Sequence, residues 1–301
     1  MFEYKIITDS SSGITQEEAK KLGVKVLPLT LIYKEKEYKD GIDISTDEFY
    51  KMLFGEEEKK SFLANLRIKR DSDFPKSTLV KPLDFKDTYD EILAEGKTPV
   101  VLPIAQVLSG TYQSAILAKD MLDNPDDVLV FNSKTALGAV RLIILCLLNK
   151  TYETKDDFVN EMNYLINHIE FFAVPDTLEY LYKGGRLSRV NAVVGNLLHL
   201  KPIIWLNDEG KLTPVDKVRG LKQAFQKTRD IISEKFPIDL NYPIDFGYSS
   251  QKENVLSFQE YMKDLIKEST VTQISPVVGA HVGPGASAIF YICQKSKDEI
   301  K

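Results

Sequence analysis

Residues 98–122, TPVVLPIAQVLSGTYQSAILAKDML, decide how this chain folds. Thr98 through Ala105 is apolar at nearly every position, the pattern of a strand buried on both faces. Ser109-Gly110-Thr111 then interrupts the run, and a helix is expected to start near Ser109. The serine can cap that helix, the glycine lets a backbone approach closely, and exposed amides at a helix start attract an anion. A plain N-cap and a ligand-binding turn both fit the triplet.

The same order of strand, polar turn and helix recurs on either side. YKIIT (4–8) reads as a buried strand, DSSSG (9–13) as its turn, and about 15–22 as a helix. Thr15 and Glu18 form a capping box and Gly23 a stop. VKVLPLTLIY (24–33) is a second extended run, with EKEYKDG as its hairpin return. Ser45 through Glu48 open another helix carrying Phe49, Met52 and Leu53. Residues about 55–75 are charge-rich and read as a surface helical excursion. KSTLVKP then places Ser77 and Thr78 side by side in a loop, and a helix over about 83–95 ends at Gly96. DVLVFNS (127–133) is strand-like, and a long apolar helix covers about 135–149. This alternation predicts an α/β protein whose first lobe is a mostly parallel sheet covered by helices.

The second half is expected to form a mixed-sheet α/β lobe. After a helix at about 154–168 come the strand EFFAVP, a helix and turn in DTLEYLYKGGRLSR, and a small-residue helix, VNAVVGNLLHL. A hairpin turns at Asn207-Asp208-Glu209-Gly210. ISPVV and AIFYIC read as strands joined by the loop AHVGPGAS (280–287). The lobes are placed at 1–167 and 168–301.

Composition narrows the class of function. The chain has 301 residues, a net charge of −5, 43% hydrophobic and 28% charged residues. That is the composition of a globular protein, and the net charge argues against a general nucleic-acid binder, which usually carries a basic face, while leaving room for a local basic patch. Cys146 and Cys293 lie in apolar runs, which suits a reduced, cytoplasmic protein better than a disulfide scaffold. There is no signal-peptide pattern, no run of roughly 20 apolar residues, and no HExxH or CxxC, so no metal is expected.

Ligands of open α/β sheets bind beyond the carboxyl ends of the strands, where DSSSG, LSGT and NSKT lie. Gly184-Gly185-Arg186 reads either as a glycine C-cap with a solvated arginine or as a ligand or partner contact. Arg219, before Gly220 at a helix start, opposes the helix dipole, which adds weight to a ligand or partner role. His281 fits a structural or a functional histidine equally.

Taken together, TDSSSGI, KSTLVKP, LSGTYQSA, YLYKGGRLS, KPII…DEGKLTPVDKVRG and HVGPGA occur in the order of the DegV family, which the sequence resembles over nearly its whole length. The resemblance implies a fatty-acid-binding protein, similar to the binding subunit of bacterial fatty acid kinase in phospholipid metabolism. It implies a long-chain fatty acid buried between two α/β lobes, no other cofactor, and a carboxylate held by Ser77, Thr78, Ser109, Gly110, His281 and Gly283. Arg186 and Arg219 match arginines linked to kinase docking or phosphoryl transfer. Leu79 and Val80 depart from the usual glutamine and proline, and Ala136-Leu137 from a usual serine region.

The implied partner is a fatty acid kinase catalytic subunit, since this chain has no GxxxxGK[ST] loop of its own. A transient encounter with a membrane is compatible with lipid loading. A protonated His281 would add charge compensation, and the acyl tail is expected to run under the small-residue helix. Two rivals stand beside this: a serine-dependent acyl hydrolase with Ser109 as nucleophile and His281 as base, against which the missing G-x-S-x-G elbow counts, and a phosphometabolite-binding regulator using the same turns.

Overall fold

The structure is a computed structural model and describes residues 1–54, 74–187 and 200–300. Ile6 and Ile7 point to opposite faces of strand β1 (Tyr4–Asp9), and both are buried. A strand covered on both faces suits a parallel sheet. β1 pairs in parallel with β2 (Lys25–Leu27) and with β6 (Thr98–Val101), the strand of the opening stretch. The short β7 (Leu129–Val130) completes the order β2-β1-β6-β7, all parallel. Of DVLVFNS only Leu129 and Val130 are in register with β6, with the Phe131 amide donating to the Val101 carbonyl at 2.9 Å; Pro125–Asp127 turns as a 3-10 helix just before them.

One face of this sheet is covered by α3 (Pro82–Ala94) and α4 (Thr111–Lys119), through Phe85, Tyr89, Ala115 and Ala118. The other face receives α5 (Gly138–Leu148), whose Val140, Ile143, Ile144 and Leu147 are all buried. Apart from Arg141, α5 is apolar all round because a second sheet lies beyond it. That sheet has six strands: β8 (Ile169–Val174), β9 (Leu200–Leu206), β10 (Leu212–Arg219), β11 (Ile244–Tyr248), β12 (Ser269–Gln273) and β13 (Ser287–Ile292). Their order is β10-β9-β8-β13-β11-β12, and only β11 and β12 run parallel. α8 (Leu221–Lys235) and α9 (Lys252–Met262) cover its far face, where Phe225 stacks on Phe258 at 4.6 Å. The fold is two α/β lobes, one parallel and one mixed, sharing a core that runs from Ile6 through α5 to Phe171 and Phe290.

Several local expectations needed correction. Thr15 caps α1 (Gln16–Leu22) by accepting from the Glu18 amide at 3.1 Å, but the Glu18 carboxylate does not return to close the box. It takes Nε and Nη2 of Arg141 instead, because a charge-assisted bond outweighs one more amide. KSTLVKP does not begin as a loop: β5 (Lys76–Thr78) pairs with β3 (Thr30–Tyr33), which also pairs with the return strand β4 (Lys36–Lys39). The Ser45–Glu48 box is complete and opens α2 (Thr46–Phe54).

The largest correction concerns ISPVV. It forms no strand; Pro276–Val282 is a helix, α10, so His281 sits in a helical turn rather than a loop. Pro276 occupies its first turn, where a fixed φ and a missing N–H cost nothing. Gly279 faces α2: a Cβ there would come 2.9 Å from Cζ of Tyr50 and 3.0 Å from Cε1 of Phe49. This contact seats a helix, and β-branched propensity in Val277-Val278 yields to it. The charged excursion (about 55–75) and the small-residue helix fall almost wholly outside the described residues.

Candidate functional site

α10 borders a cavity between the two lobes, enclosing about 670 Å³ with its open mouth. His281 and Val282 stand one helical turn from Val277 and Val278, and all four face the space. The first lobe contributes Ile104, Leu108 and Leu137, the second Phe171, Leu181 and Leu212. Polar side chains on this lining are few: Ser11, Ser77, Ser109, Arg186 and His281.

Ser77 and His281, 204 positions apart in sequence, meet at 2.7 Å between Oγ and Nε2. β5 brings the serine and α10 the histidine. His281 is 9% exposed, and burial, reinforced by the nearby Arg186 cation, pushes its pKa down to about 4. The imidazole is therefore neutral near pH 7, so the charge compensation a protonated His281 would add is not supplied there. Its Nδ1 has no hydrogen-bond partner among the described residues. Gly184 lies against that nitrogen so closely that a Cβ would overlap it and would sit 2.9 Å from the Tyr180 carbonyl oxygen. The first glycine of KGGRLS is thus a packing requirement of His281.

Arg186 is not on a solvated turn. It is half-buried and lines the cavity, its Nε donating to the Leu108 carbonyl at 3.1 Å and Nη1 to that of Gly184. These two carbonyls belong to different lobes. Burial lowers its pKa from the ordinary guanidinium value, and no carboxylate among the described residues forms an ion pair with it.

The other expected site residues divide. Ser109 lines the cavity, but its Oγ is engaged locally with Oγ1 of Thr111 at 2.9 Å and the Thr111 amide at 3.3 Å. α4 starts at Thr111 with Gly110 as cap residue, and Gly110 packs against Leu79, 2.9 Å from where a Cβ would stand. Thr78 is exposed, because strand alternation turns it away from Ser77. Gly283 holds φ 78° beside the Tyr180 ring and does not line the cavity. Arg219 is exposed at the end of β10, away from the lining.

Sequence reasoning did not single out Ser11 and marked Leu137 only as a departure from the family pattern; both line the cavity. Ser11 donates its hydroxyl to Oδ1 of Asp9, whose Oδ2 accepts from the Ile104 amide at 2.9 Å. DSSSG was recognisable as a turn; which of its serines looks inward is a property of the 3-10 turn Ser10–Ser12.

The buried groups give opposed pH dependences. His281 has a folded pKa of about 4 against roughly 6.5 unfolded, so its contribution is complete above the unfolded value and is lost as pH falls from 6.5 to 4. Burial raises the folded pKa of Asp40 to about 7, so its ionisation destabilises the fold increasingly from about pH 4 to 7. The difference in urea stability between lipid-free wild type and His281→Gln is expected to shrink by up to about 3 kcal/mol between pH 7 and 4. A difference that stays flat with pH would remove the neutral, buried assignment.

Two α/β lobes closing on an apolar cavity with a sparse polar edge define a two-lobed cavity fold. The chain belongs to the DegV family: the model of that family, described as an uncharacterised protein, matches residues 3–294. A DegV domain-containing protein of Caldanaerobacter subterraneus subsp. tengcongensis is 32% identical over 97% of this chain and 99% of its own. Among solved structures, a DegV family protein from Thermus thermophilus described for its fatty acid binding superposes with a TM-score of 0.80 at 27% identity, over 97% of this chain and all of the other. A fatty acid binding DegV family protein from Streptococcus agalactiae gives a TM-score of 0.77 at 25% identity, over 98% of this chain and all of its own.

Proposed function

We propose that this protein binds one long-chain fatty acid, with the tail in the interlobe cavity and the carboxylate at Ser77, His281 and Arg186. The observation that carries it is a half-buried guanidinium on the lining of an apolar cavity, without an acidic partner among the described residues. A buried cation without a counter-charge is costly, and a ligand carboxylate would supply one. The tail supplies affinity: at roughly 0.8 kcal/mol per CH₂, a palmitoyl-length chain gains more than about 10 kcal/mol gross, from which association and ordering subtract several. The relatives described as fatty-acid-binding proteins support the same ligand.

The finer proposal is that the bound carboxylate is presented to a separate kinase subunit and becomes an acyl phosphate. Arg219, exposed at the end of β10, is the candidate docking contact. It rests on the family pattern of VDKVRG, and adding a cognate kinase subunit and ATP tests it through formation of a hydroxylamine-reactive acyl phosphate.

Organic extraction of the purified protein, followed by mass spectrometry, tests the binding itself. One fatty acid per chain is expected for wild type, with retention lowered about tenfold or more in Ser77→Ala, as befits a lost bond to a charged group. An extract without fatty acid, after loading with palmitate or oleate, would end the proposal. The Ser77–His281 contact also has the form of a nucleophile and base, which favours a hydrolase as second reading. Its weakness is that no carboxylate among the described residues orients Nδ1 and that a pKa of about 4 makes a poor base at neutral pH. Turnover of a chromogenic acyl ester, abolished in Ser77→Ala, would revive it.

A further inference from the structure

Beside the first cavity lies a second, smaller one, about 210 Å³ with its open side included. Its position follows from α10 and the residues leading into it. His281 and Val282 face the first cavity beside the Ser77 contact, Val277 and Val278 face it one turn nearer the start of α10, and Ile274 and Ser275, just before the helix, face the second. From His281 to Ile274 is at least about 10 Å along that direction. Along this element the second cavity follows directly on the first.

Two residues border both spaces, Ser11 and Leu137. Ser11 is pinned by its bond to Asp9. Leu137 caps α5 with φ 60° and ψ −145°, a backbone region almost reserved for glycine. Glycine there would leave the two spaces joined; leucine, at a conformational cost, fills the junction. Behind it, Gly138 and Gly247 lie flat against the Phe290 ring, with Cβ positions 2.6 Å and 2.9 Å from its Cε2. The far side is thus a narrow slot bounded by Gly138, Gly247, Ile274 and Phe290.

We propose that Leu137, backed by Ser11, is the end stop for the acyl tail and sets the longest chain this protein accepts. This rests on the fatty-acid reading above. The terminal methyl meets the Leu137 side chain, and a longer acid must either displace it or leave its carboxylate short of Ser77 and Arg186.

The test loads lipid-free wild type, Leu137→Gly and Leu137→Ala with an equimolar mixture of saturated acids from lauric to behenic, and extracts the bound fraction for mass spectrometry. Leu137→Gly suits the local backbone and is the variant expected to keep the fold; urea melts verify that. Its preferred acid is expected to be longer than that of wild type by about two to four carbons, the space vacated by the side chain. Adding Ile274→Phe to Leu137→Gly refills the slot and is expected to return the profile to that of wild type. Wild-type and Leu137→Gly profiles that coincide, with fatty acid bound in both, overturn the end stop while leaving the binding function intact. A wild type that takes up no acid at all overturns the binding function, and the end stop with it.

Discussion

Gly283→Ala is expected to destabilise the protein by about 4 kcal/mol, among the largest effects available to a single methyl group. Gly283 ends α10 with φ 78° and ψ −175°, a combination essentially closed to residues with a Cβ and worth about 1–3 kcal/mol in strain. The added carbon would also stand 2.8 Å from Cγ and 2.9 Å from Cε2 of Tyr180. Tyr180 is itself buried, so the ring has no open space into which to retreat. Gly23→Ala is the control. It shares the positive φ, at 70°, but has nothing within 4 Å of the added carbon, so only the left-handed penalty of about 1–2 kcal/mol applies. Urea unfolding of the two variants separates strain from collision. Equal losses in both would mean that Tyr180 moves aside and that the glycine is no steric requirement.

That prediction shows where sequence and structure part. The parallel sheet of the first lobe was readable because Ile6-Ile7 and Val100-Val101 are apolar on both faces of their strands, a local property. The 207–210 hairpin and the helical stripe ending in Phe225, Thr228 and Ile232 were local as well. ISPVV was misread because what makes it a helix is distant: Gly279 lies against Tyr50 and Phe49 of another element. The site shows the same division. KSTLVKP, SGT and HVGPGA signalled polar turns, and Ser77 and His281 do meet. Thr78 was separated from Ser77 only when β5 paired with β3 and alternation fixed its side. Leu137 carried no polar signal; its importance lies in a backbone angle and in the two cavities it borders.

Arg186→Ala is expected to lower fatty acid retention about 100-fold or more, whereas Arg219→Ala leaves it unchanged. Both arginines fit surface turns in the sequence, and both match kinase-linked positions by resemblance. Their surroundings differ. Arg219 is exposed, where a single charge contributes little to a site it does not touch. Arg186 is half-buried on the cavity lining, with burial lowering its pKa and only main-chain carbonyls among its hydrogen-bond acceptors in the described residues. Removing one partner of a desolvated charge pair costs about 2–5 kcal/mol, since the remaining charge stays buried and uncompensated. Here the charge left behind would be the ligand carboxylate. The same guanidinium ties Leu108 of the first lobe to Gly184 of the second, so its loss also loosens the closed cavity. Arg186→Lys separates these two roles. Lysine keeps the charge as a single point and lacks the planar fork that spans two carbonyls, so it is expected to retain lipid at an intermediate level. Retention is measured by extraction after gel filtration, with lipid-free stability of each variant determined alongside. Undiminished loading of Arg186→Ala, coupled to a loss of acyl phosphate formation with a kinase subunit, would move Arg186 from the ligand to the docking surface and would leave Ser77 and His281 to hold the carboxylate without a cation.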